Sequence, residues 1–231
     1  MHPVVNPGPP MTAAALRIPV RDAVLDGDLL LPPRFQALVL FAHGSGSGRH
    51  SARNRQVAQR LQQAGIATLL LDLLTASEEQ VDLHTREHRF DIARLSARLE
   101  AVTRWVAEQP HWQHAALGYF GASTGSAAAL IAAARWPDRV SAIVSRGGRP
   151  DLAGVAALSA ITAPTLLIVG GADPEVLSLN RRALQHLRCE KSLAIVPGAT
   201  HLFAEAGALE QVADLAASWF VAHLTPLTHA P

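Results

Sequence analysis

The chain contains little cysteine and little charge, and it has no long apolar run. Its single cysteine, Cys189, has no partner for an internal disulfide, which is typical of proteins kept in a reducing compartment. Charged residues make up 17% of the sequence and the formal net charge is +1, so we expect no basic surface for nucleic acid. No uncharged apolar run reaches the roughly 18 residues of a membrane span. We therefore predict a cytoplasmic protein without nucleic-acid or membrane partners.

The N-terminal segment also lacks the pattern of a signal peptide, a positively charged stretch followed by an apolar one. Instead it contains a cluster of prolines, which favours a flexible leader over residues 1–15. The length of 231 residues suits one α/β domain, predicted over residues 16–225. Residues 226–231 form a short tail in this division, and the protein is expected to be a monomer or homodimer.

Short apolar runs alternate with helical patterns, which predicts the α/β fold class with a mostly parallel central sheet of about eight strands flanked by helices. The first two strands are expected to meet at a turn around Asp26 and Gly27. The predicted strands are 16–20, 28–31, 37–42, 66–71, 115–120, 140–144, 165–169 and 193–196, and the predicted helices are 54–64, 86–108, 124–135, 176–187 and 209–223. In such sheets ligands bind beyond the carboxyl ends of the strands.

A nucleophile motif follows one of these strands. Residues 121–125 read G-A-S-T-G, and they connect an apolar strand to a helix rich in small residues. This strand–turn–helix context is the one in which G-x-S-x-G presents a reactive serine, here Ser123. The pattern could also be a glycine-bordered turn with a capping serine. The context favours Ser123 as a nucleophile.

A serine hydroxyl needs a base, and the base needs an orienting acid. Asp173 follows the strand 165–169 in the loop G-G-A-D-P, and His201 follows the strand 193–196 in the loop P-G-A-T-H. The order serine, acid, histidine is that of the α/β hydrolases. Asp173 could alternatively cap a helix, and Glu175 is the nearest substitute acid.

A glycine-rich loop, H-G-S-G-S-G at residues 43–48, follows the strand 37–42 and is here called the oxyanion loop. Close approach of backbone N–H groups to a substrate oxygen favours glycine. We predict that the N–H groups of Thr124 and Ser45 form the oxyanion hole, with Gly46 as the alternative to Ser45. His43 and Gly46 are also candidate substrate contacts.

Two further patterns suggest other chemistry. The glycines of the oxyanion loop, with Asp72 ending the next strand, resemble a dinucleotide-binding fingerprint, but Arg49 stands where the third glycine belongs. The segment 84–88 reads H-T-R-E-H, which matches a zinc-protease pattern, although no third ligand accompanies it. We interpret Asp72 as a strand-end or helix-capping residue and 84–88 as the start of a solvated helix, and we predict no metal and no cofactor.

Together, HGSGSG, GASTG, GGADPEV and PGATHLF resemble the α/β hydrolases, specifically the dienelactone-hydrolase-like group, over nearly the whole chain from about Leu16. The resemblance implies the α/β-hydrolase fold with Ser123 as nucleophile, Asp173 as acid and His201 as base. The dienelactone hydrolases proper carry cysteine at the nucleophile position. Serine here fits general carboxylesterase chemistry.

The interval between the sixth and seventh strands, residues 145–163, has room only for a loop and one short helix, so we predict no lid domain. It begins with Arg146 and includes Arg149, either of which could bind a substrate anion or merely stabilise the fold. Arg49, His50 and Arg53, after the oxyanion loop, are further candidates.

The predicted function is hydrolysis of a small carboxylic ester or lactone through an acyl-enzyme, with a small-molecule ester as substrate. Two alternatives use the same site. One is a thioesterase, acyltransferase or perhydrolase on the same triad, and the other is a non-catalytic homologue that binds a ligand.

Overall fold

The computed structural model describes residues 11–113 and 115–224, which form eight β-strands and seven α-helices. The mostly parallel, helix-flanked sheet confirms the predicted fold class. The strands are β1 (Thr12–Val20), β2 (Ala23–Leu31), β3 (Ala37–Ala42), β4 (Ala67–Leu71), β5 (Ala116–Ala122), β6 (Val140–Arg146), β7 (Thr165–Gly170) and β8 (Lys191–Val196). The helices are α1 (Ala52–Gln63), α2 (Ala76–Thr85), α3 (Ile92–Glu108), α4 (Thr124–Arg135), α5 (Gly154–Ala160), α6 (Pro174–His186) and α7 (Ala208–His223). In these ranges no helix is both long and apolar enough to cross a bilayer.

The strands form one sheet in the order β1-β2-β4-β3-β5-β6-β7-β8. β2 pairs antiparallel with β1 and β4, and the six strands from β4 to β8 are parallel. β3, β4, β5 and β7 are buried along their whole length, as expected of strands covered on both faces. α1 and α7 pack on one face, and α3, α4, α5 and α6 pack on the other. The loops after β3, β5, β6, β7 and β8 therefore lie at one edge of the sheet.

The first hairpin differs from the prediction. Val20 pairs with Ala23, so the turn consists of residues 21–22, whereas Asp26 and Gly27 lie inside β2. A Cβ on Gly27 would lie 2.9 Å from a methyl group of Leu69 in β4, so glycine serves close packing at this position. β1 starts at Thr12, which places the end of the predicted leader in the sheet. Residues 1–10 and the predicted tail lie outside the described residues.

The predicted helix 86–108 begins too early, although it ends at the predicted residue. α2 ends at Thr85, Arg86 adopts a left-handed conformation with φ of 60°, and α3 begins only at Ile92. Asp82 is buried near the end of α2, and its Oδ1 accepts the N–H groups of His88 and Arg89, each at 2.9 Å. A carboxylate that binds backbone N–H groups beyond the helix stabilises a turn there, so the helical pattern is interrupted.

An ion-pair network fixes α2 and α3 to the first hairpin. The guanidinium of Arg98 is almost fully buried and donates to both carboxylate oxygens of Glu78, at 2.6 and 2.7 Å. It also donates to Asp22 and to the carbonyl of Leu73, each at 2.9 Å. The hydrogen bonds from Arg98 lower the pKa of Glu78 to about 2. Because every partner belongs to a different segment, this cluster determines where α2 lies relative to the sheet.

We predict that Glu78→Gln destabilises the fold by ~1–2 kcal/mol at neutral pH, a value reduced for partial solvent exposure. The folded-state pKa of Glu78 lies below the ordinary 4.5, so its contribution is complete above pH 4.5 and disappears as the pH falls towards about 2. Urea unfolding at several pH values should therefore show a difference between wild type and variant that shrinks over this interval. Glu79→Gln, the exposed next residue of α2, is the control, and a pH-independent difference for Glu78→Gln would contradict the assignment.

Candidate active site

Ser123 occupies a strained turn between β5 and α4. Its backbone has φ of 49° and ψ of −120°, a conformation rare for a residue with a side chain. A Cβ on Gly125 would lie 2.3 Å from the carbonyl oxygens of Ala42 and His43, and one on Gly121 would lie 2.5 Å from the backbone of α4. Glycine on both sides therefore lets the strand, the helix and the oxyanion loop approach each other at Ser123.

His201 and Asp173 form a direct hydrogen bond. Nδ1 of His201 lies 2.8 Å from Oδ2 of Asp173, and this bond leaves Nε2 of the ring for a second partner. The other carboxylate oxygen, Oδ1, accepts the N–H of Val176 at 3.4 Å and caps the N-terminus of α6. The sequence offered helix capping and orientation of a histidine as competing roles for Asp173. In the structure each oxygen serves one of them.

The end of β6 connects Ser123 with His201. The N–H of Ser123 donates to the carbonyl of Arg146 at 3.1 Å. Gly147 follows, and a Cβ there would lie 3.6 Å from Cε1 of the His201 ring. On the opposite side, a Cβ on Gly44 would lie 3.0 Å from Cβ of Ser123. The serine therefore lies between the oxyanion loop and the segment on which the imidazole packs.

The two predicted oxyanion donors are held together by their side chains. Oγ of Ser45 lies 2.9 Å from Oγ1 of Thr124, so the hydroxyl groups form a hydrogen bond between the oxyanion loop and α4. Thr124 is the first residue of α4, and its N–H has no acceptor within the helix. Gly46 adopts φ of 65° and is exposed. The N–H of Ser45 donates to no protein acceptor within the described ranges.

His43 is buried and supports the oxyanion loop, so its ring is not open to a substrate as predicted. Its Nε2 accepts the N–H of Leu73 at 2.9 Å, and its Nδ1 lies 2.9 Å from the carbonyl of Gly44. Burial lowers its pKa, which favours the neutral ring. Both nitrogens are thus engaged within the protein, and the ring holds the oxyanion loop against the loop after β4.

Asp72 supports the same loop from outside. Its Oδ1 accepts the N–H of Arg49 at 2.6 Å, and its Oδ2 pairs with the Arg49 guanidinium. Arg49 also contacts Asp28 at 3.3 Å, and Arg55 pairs with Asp28 at 3.2 Å. The residue that resembled a ribose-binding acid directly follows β4, at a strand end as predicted, and it is part of an ion-pair network.

The two candidate arginines, at the end of β6 and in the loop after it, have opposite surroundings. Arg149 forms two hydrogen bonds to Asp151, at 2.9 and 2.8 Å, and its N–H donates to the carbonyl of Ser123. Arg146 is buried, and its Nη1 has no hydrogen-bond partner within residues 11–113 and 115–224. Burial and the charge of Arg53 lower the pKa of Arg146 to about 10.

Sequence reasoning missed one element of the site. A cleft of about 60 Å³ lies beside the oxyanion loop, with Leu74, Leu83 and Leu95 among its lining residues. Arg89 also lines this cleft, because Asp82 binds its N–H, its Nε and, through the Asp82 carbonyl, its Nη2. Burial alone would raise the pKa of Asp82, but the bonds from Arg89 and His88 lower it on balance. The acid and arginine, seven residues apart, gave no recognisable motif.

The H-x-x-E-H segment is not the start of a helix, as we predicted, but spans the end of α2, so its two histidines do not share a helical face. His84 lies in α2 and its Nδ1 is 3.1 Å from the carbonyl of Gln80, whereas His88 lies beyond the helix end and its Nδ1 is 2.9 Å from Nη1 of Arg94. Among the described residues, no three potential ligands of the histidine, cysteine and carboxylate types cluster around a common point.

Comparison with known proteins identifies one family that covers most of the chain. Residues 35–218 match a family described as an alpha/beta hydrolase domain. Two Mycobacterium tuberculosis proteins, from strains H37Rv and CDC 1551, are 52% identical over 216 residues, or 94% of this chain. Both bear the provisional name phosphoribosyl transferase, and the match covers 48% of their length. The chain thus spans about half the length of these curated relatives.

Solved structures with similar folds include hydrolases and esterases. A dienelactone hydrolase from Anabaena variabilis is 54% identical, with a TM-score of 0.91 over 93% of this chain and 99% of that one. Est1E from Butyrivibrio proteoclasticus has a TM-score of 0.76 over 90% of this chain and 98% of that one, at 17% identity. The second likeness concerns the fold alone.

We predict that Gly125→Ala destabilises the protein by ~2–4 kcal/mol, because the added carbon would overlap two backbone carbonyl groups that cannot move independently. Thermal unfolding measures the effect. Gly171→Ala is the matched control, since its nearest contact would be 3.3 Å away and its φ is not positive. Equal stability of the two variants would show that the close approach at Gly125 is not required.

Proposed function

The chain belongs to the α/β-hydrolase family, in its dienelactone-hydrolase-like group, and on this basis we propose that it hydrolyses a small carboxylic ester or lactone with Ser123, His201 and Asp173 as catalytic triad. The observation that carries the proposal is the 2.8 Å bond between His201 and Asp173, together with a serine in a strained turn at the same edge of the sheet. The bond orients the imidazole, and the turn exposes the hydroxyl.

In the proposed reaction, Nε2 of His201 takes the proton of the Ser123 hydroxyl while Oγ attacks the carbonyl carbon of the ester. The protonated imidazole then gives this proton to the departing alkoxide, which leaves as the alcohol and generates the acyl-enzyme. Water, deprotonated by the same nitrogen, attacks the acyl carbon, and the proton returns to Oγ as the carboxylic acid departs. Asp173 stays ionised and stabilises the imidazolium formed in both steps.

The oxyanion of each tetrahedral intermediate would accept hydrogen bonds from the N–H groups of Thr124 and Ser45. The hydroxyl bridge between these residues supports this assignment, because it fixes the relative positions of two backbone segments that must act together. Gly46 provides the neighbouring N–H. Preorganised donors of this kind each contribute about 10²–10³ in rate.

A small cleft borders the site. It holds about 60 Å³ and is lined by both proposed oxyanion residues, Ser45 and Thr124, but not by Ser123 or His201. Between β6 and β7 the chain forms only the short 3₁₀ turn Pro150–Ala153 and α5, so no inserted domain covers the site there. The phosphoribosyl transferase name belongs to relatives about twice as long as the matched region, and it supports no second candidate function.

We predict that Ser123→Ala abolishes hydrolysis of 4-nitrophenyl acetate and labelling by a fluorophosphonate probe, with unchanged thermal unfolding. Asp173→Asn should lower kcat by about 10⁴-fold, because an amide can stabilise the wrong tautomer of His201. Asparagine also caps helices, so this substitution retains the bond to Val176 and tests the orienting role separately.

Glu175→Gln is the matched control, since this exposed carboxylate lies in the first turn of α6, two residues after Asp173. Loss of activity in Glu175→Gln with full activity in Asp173→Asn would contradict the assignment of the acid. Absence of labelling and turnover in the wild type would favour a ligand-binding homologue. Acyl-CoA thioesters measured alongside the nitrophenyl esters distinguish a thioesterase from an esterase.

A further inference from the structure

One backbone segment binds the proposed nucleophile from both sides. The chain leaves β6 through residues 146–149, here called the β6 turn. The N–H of Ser123 donates to the carbonyl of Arg146 at 3.1 Å, and the carbonyl of Ser123 accepts the N–H of Arg149 at 3.2 Å. The strained backbone of Ser123 is therefore held at both of its hydrogen-bonding groups by the β6 turn.

The β6 turn also contacts the proposed base. Gly147 has φ of 51°, and its N–H donates to the carbonyl of Ile168 in β7 at 2.8 Å. A Cβ on this glycine would lie 3.3 Å from the carbonyl oxygen of His201 and 3.6 Å from Cε1 of its ring. A displacement of the β6 turn would therefore move the backbone of the serine and the support of the imidazole together.

The side chain of Asn180 connects the β6 turn to the helix of the proposed acid. Asn180 is fully buried and lies in α6, the helix that Asp173 caps. Its Nδ2 donates to the carbonyl of Gly148 at 2.9 Å and to the carbonyl of Val176 at 2.8 Å. The second bond stays within α6, whereas the first crosses from α6 to the β6 turn. The amide thus joins the helix that begins at the acid to the segment that contacts the nucleophile and the base.

Gly148 is enclosed on its other side by α4 and β6. A Cβ there would lie 2.1 Å from Oγ of Ser145 and 2.4 Å from Oγ of Ser126. These two hydroxyl groups are buried and form a hydrogen bond of 2.5 Å between β6 and α4. Close packing thus limits the movement of the β6 turn towards α4, and the bond from Asn180 holds the turn from the side of α6.

The amide of Asn180 is only partly satisfied. Its Oδ1 is buried and has no hydrogen-bond partner within residues 11–113 and 115–224. A buried polar atom without a partner destabilises the folded state. A leucine of similar size would remove this oxygen and lose the bond to Gly148. An unfavourable local choice of this kind is typical of functional regions, where geometry matters more than stability.

We propose that Asn180 is a positioning residue of the triad, and that its bond to Gly148 keeps Ser123, His201 and Asp173 in a fixed arrangement. Without this bond the β6 turn and the first turn of α6 could move relative to each other. The imidazole would then lose its alignment with the serine hydroxyl on one side and with the carboxylate on the other. The inference rests on the proposed function and adds to it a residue that lies in none of the catalytic motifs.

Two substitutions remove the bond to Gly148. In Asn180→Ser the hydroxyl can donate to the carbonyl four residues earlier, that of Val176, but it is too short for Gly148. Asn180→Leu has no donor and keeps the size of the side chain. Both should lower kcat for 4-nitrophenyl acetate and the rate constant of fluorophosphonate labelling by about 10–100-fold per folded molecule, since small displacements of reacting groups have effects of this order. KM should change much less, because Asn180 contacts no substrate in this role.

Ala183→Gly is the matched control. Ala183 is buried one turn further along α6, and glycine there weakens the helix without removing a bond to the β6 turn. Thermal unfolding gives the folded fraction of each variant. The control should lose stability and retain the wild-type rates per folded molecule. Wild-type rates in both Asn180 variants, or an equal loss of rate in Ala183→Gly, would overturn the positioning role.

The tautomer of His201 provides a measurement that needs no turnover. In the neutral ring the bond to Asp173 should keep the proton on Nδ1, which proton–nitrogen correlation spectra detect, with His201→Gln to assign the signals. The Asn180 variants should show a mixture of both tautomers, and Ala183→Gly only the first. A tautomer unaffected by either Asn180 substitution would refute the positioning role, whether or not the wild type hydrolyses esters. A tautomer that depends on Asn180, in a wild type that is neither labelled nor active, would retain the positioning role and reject the hydrolase.

Discussion

The geometry of the candidate active site depends most on the turn at Ser123, where φ is positive. A side chain held at φ of 49° is unfavourable by itself, so the surrounding structure must compensate for the strain. That compensation comes from close approach on both sides, where Gly121 and Gly125 let β5, α4 and the carbonyl groups that begin the oxyanion loop meet. A larger residue at either position would separate the serine from the backbone N–H groups proposed to stabilise its intermediate. The strain and the oxyanion hole are thus consequences of one packing constraint.

Polar contacts extend this constraint outwards from the serine. His43 holds the oxyanion loop through both ring nitrogens, Asp72 supports it through Arg49, and the Ser45 hydroxyl connects it to Thr124. Each contact is local, yet together they fix a loop that contains three glycines in six residues and would otherwise be free to move. Fixed donors need no reorganisation during the reaction, which is where their catalytic benefit arises.

Sequence reasoning predicted the parts of the fold that depend on short-range pattern. The buried strands and the G-x-S-x-G turn are encoded in consecutive residues, and the structure has them at or near the expected positions. The break between α2 and α3 was missed because it depends on the burial of Asp82, which periodicity does not reveal. The hairpin turn was misplaced because Gly27 was interpreted as a turn residue, whereas it allows Leu69 to pack closely. Arg89 was missed as a lining residue of the cleft, because its position also depends on the buried Asp82.

The enclosed arginines of this chain have different kinds of hydrogen-bond partner. Arg98 is buried and Arg89 is partly buried, and each is matched by a carboxylate at 2.5–2.9 Å. Not every enclosed guanidinium has an acid, since Arg139 donates to the carbonyls of Ala115 and Trp112 and forms no ion pair among the described residues. An ion pair is thus one of several ways in which this chain accommodates an arginine, and the cluster at Arg98 uses it to fix α2 to the first hairpin.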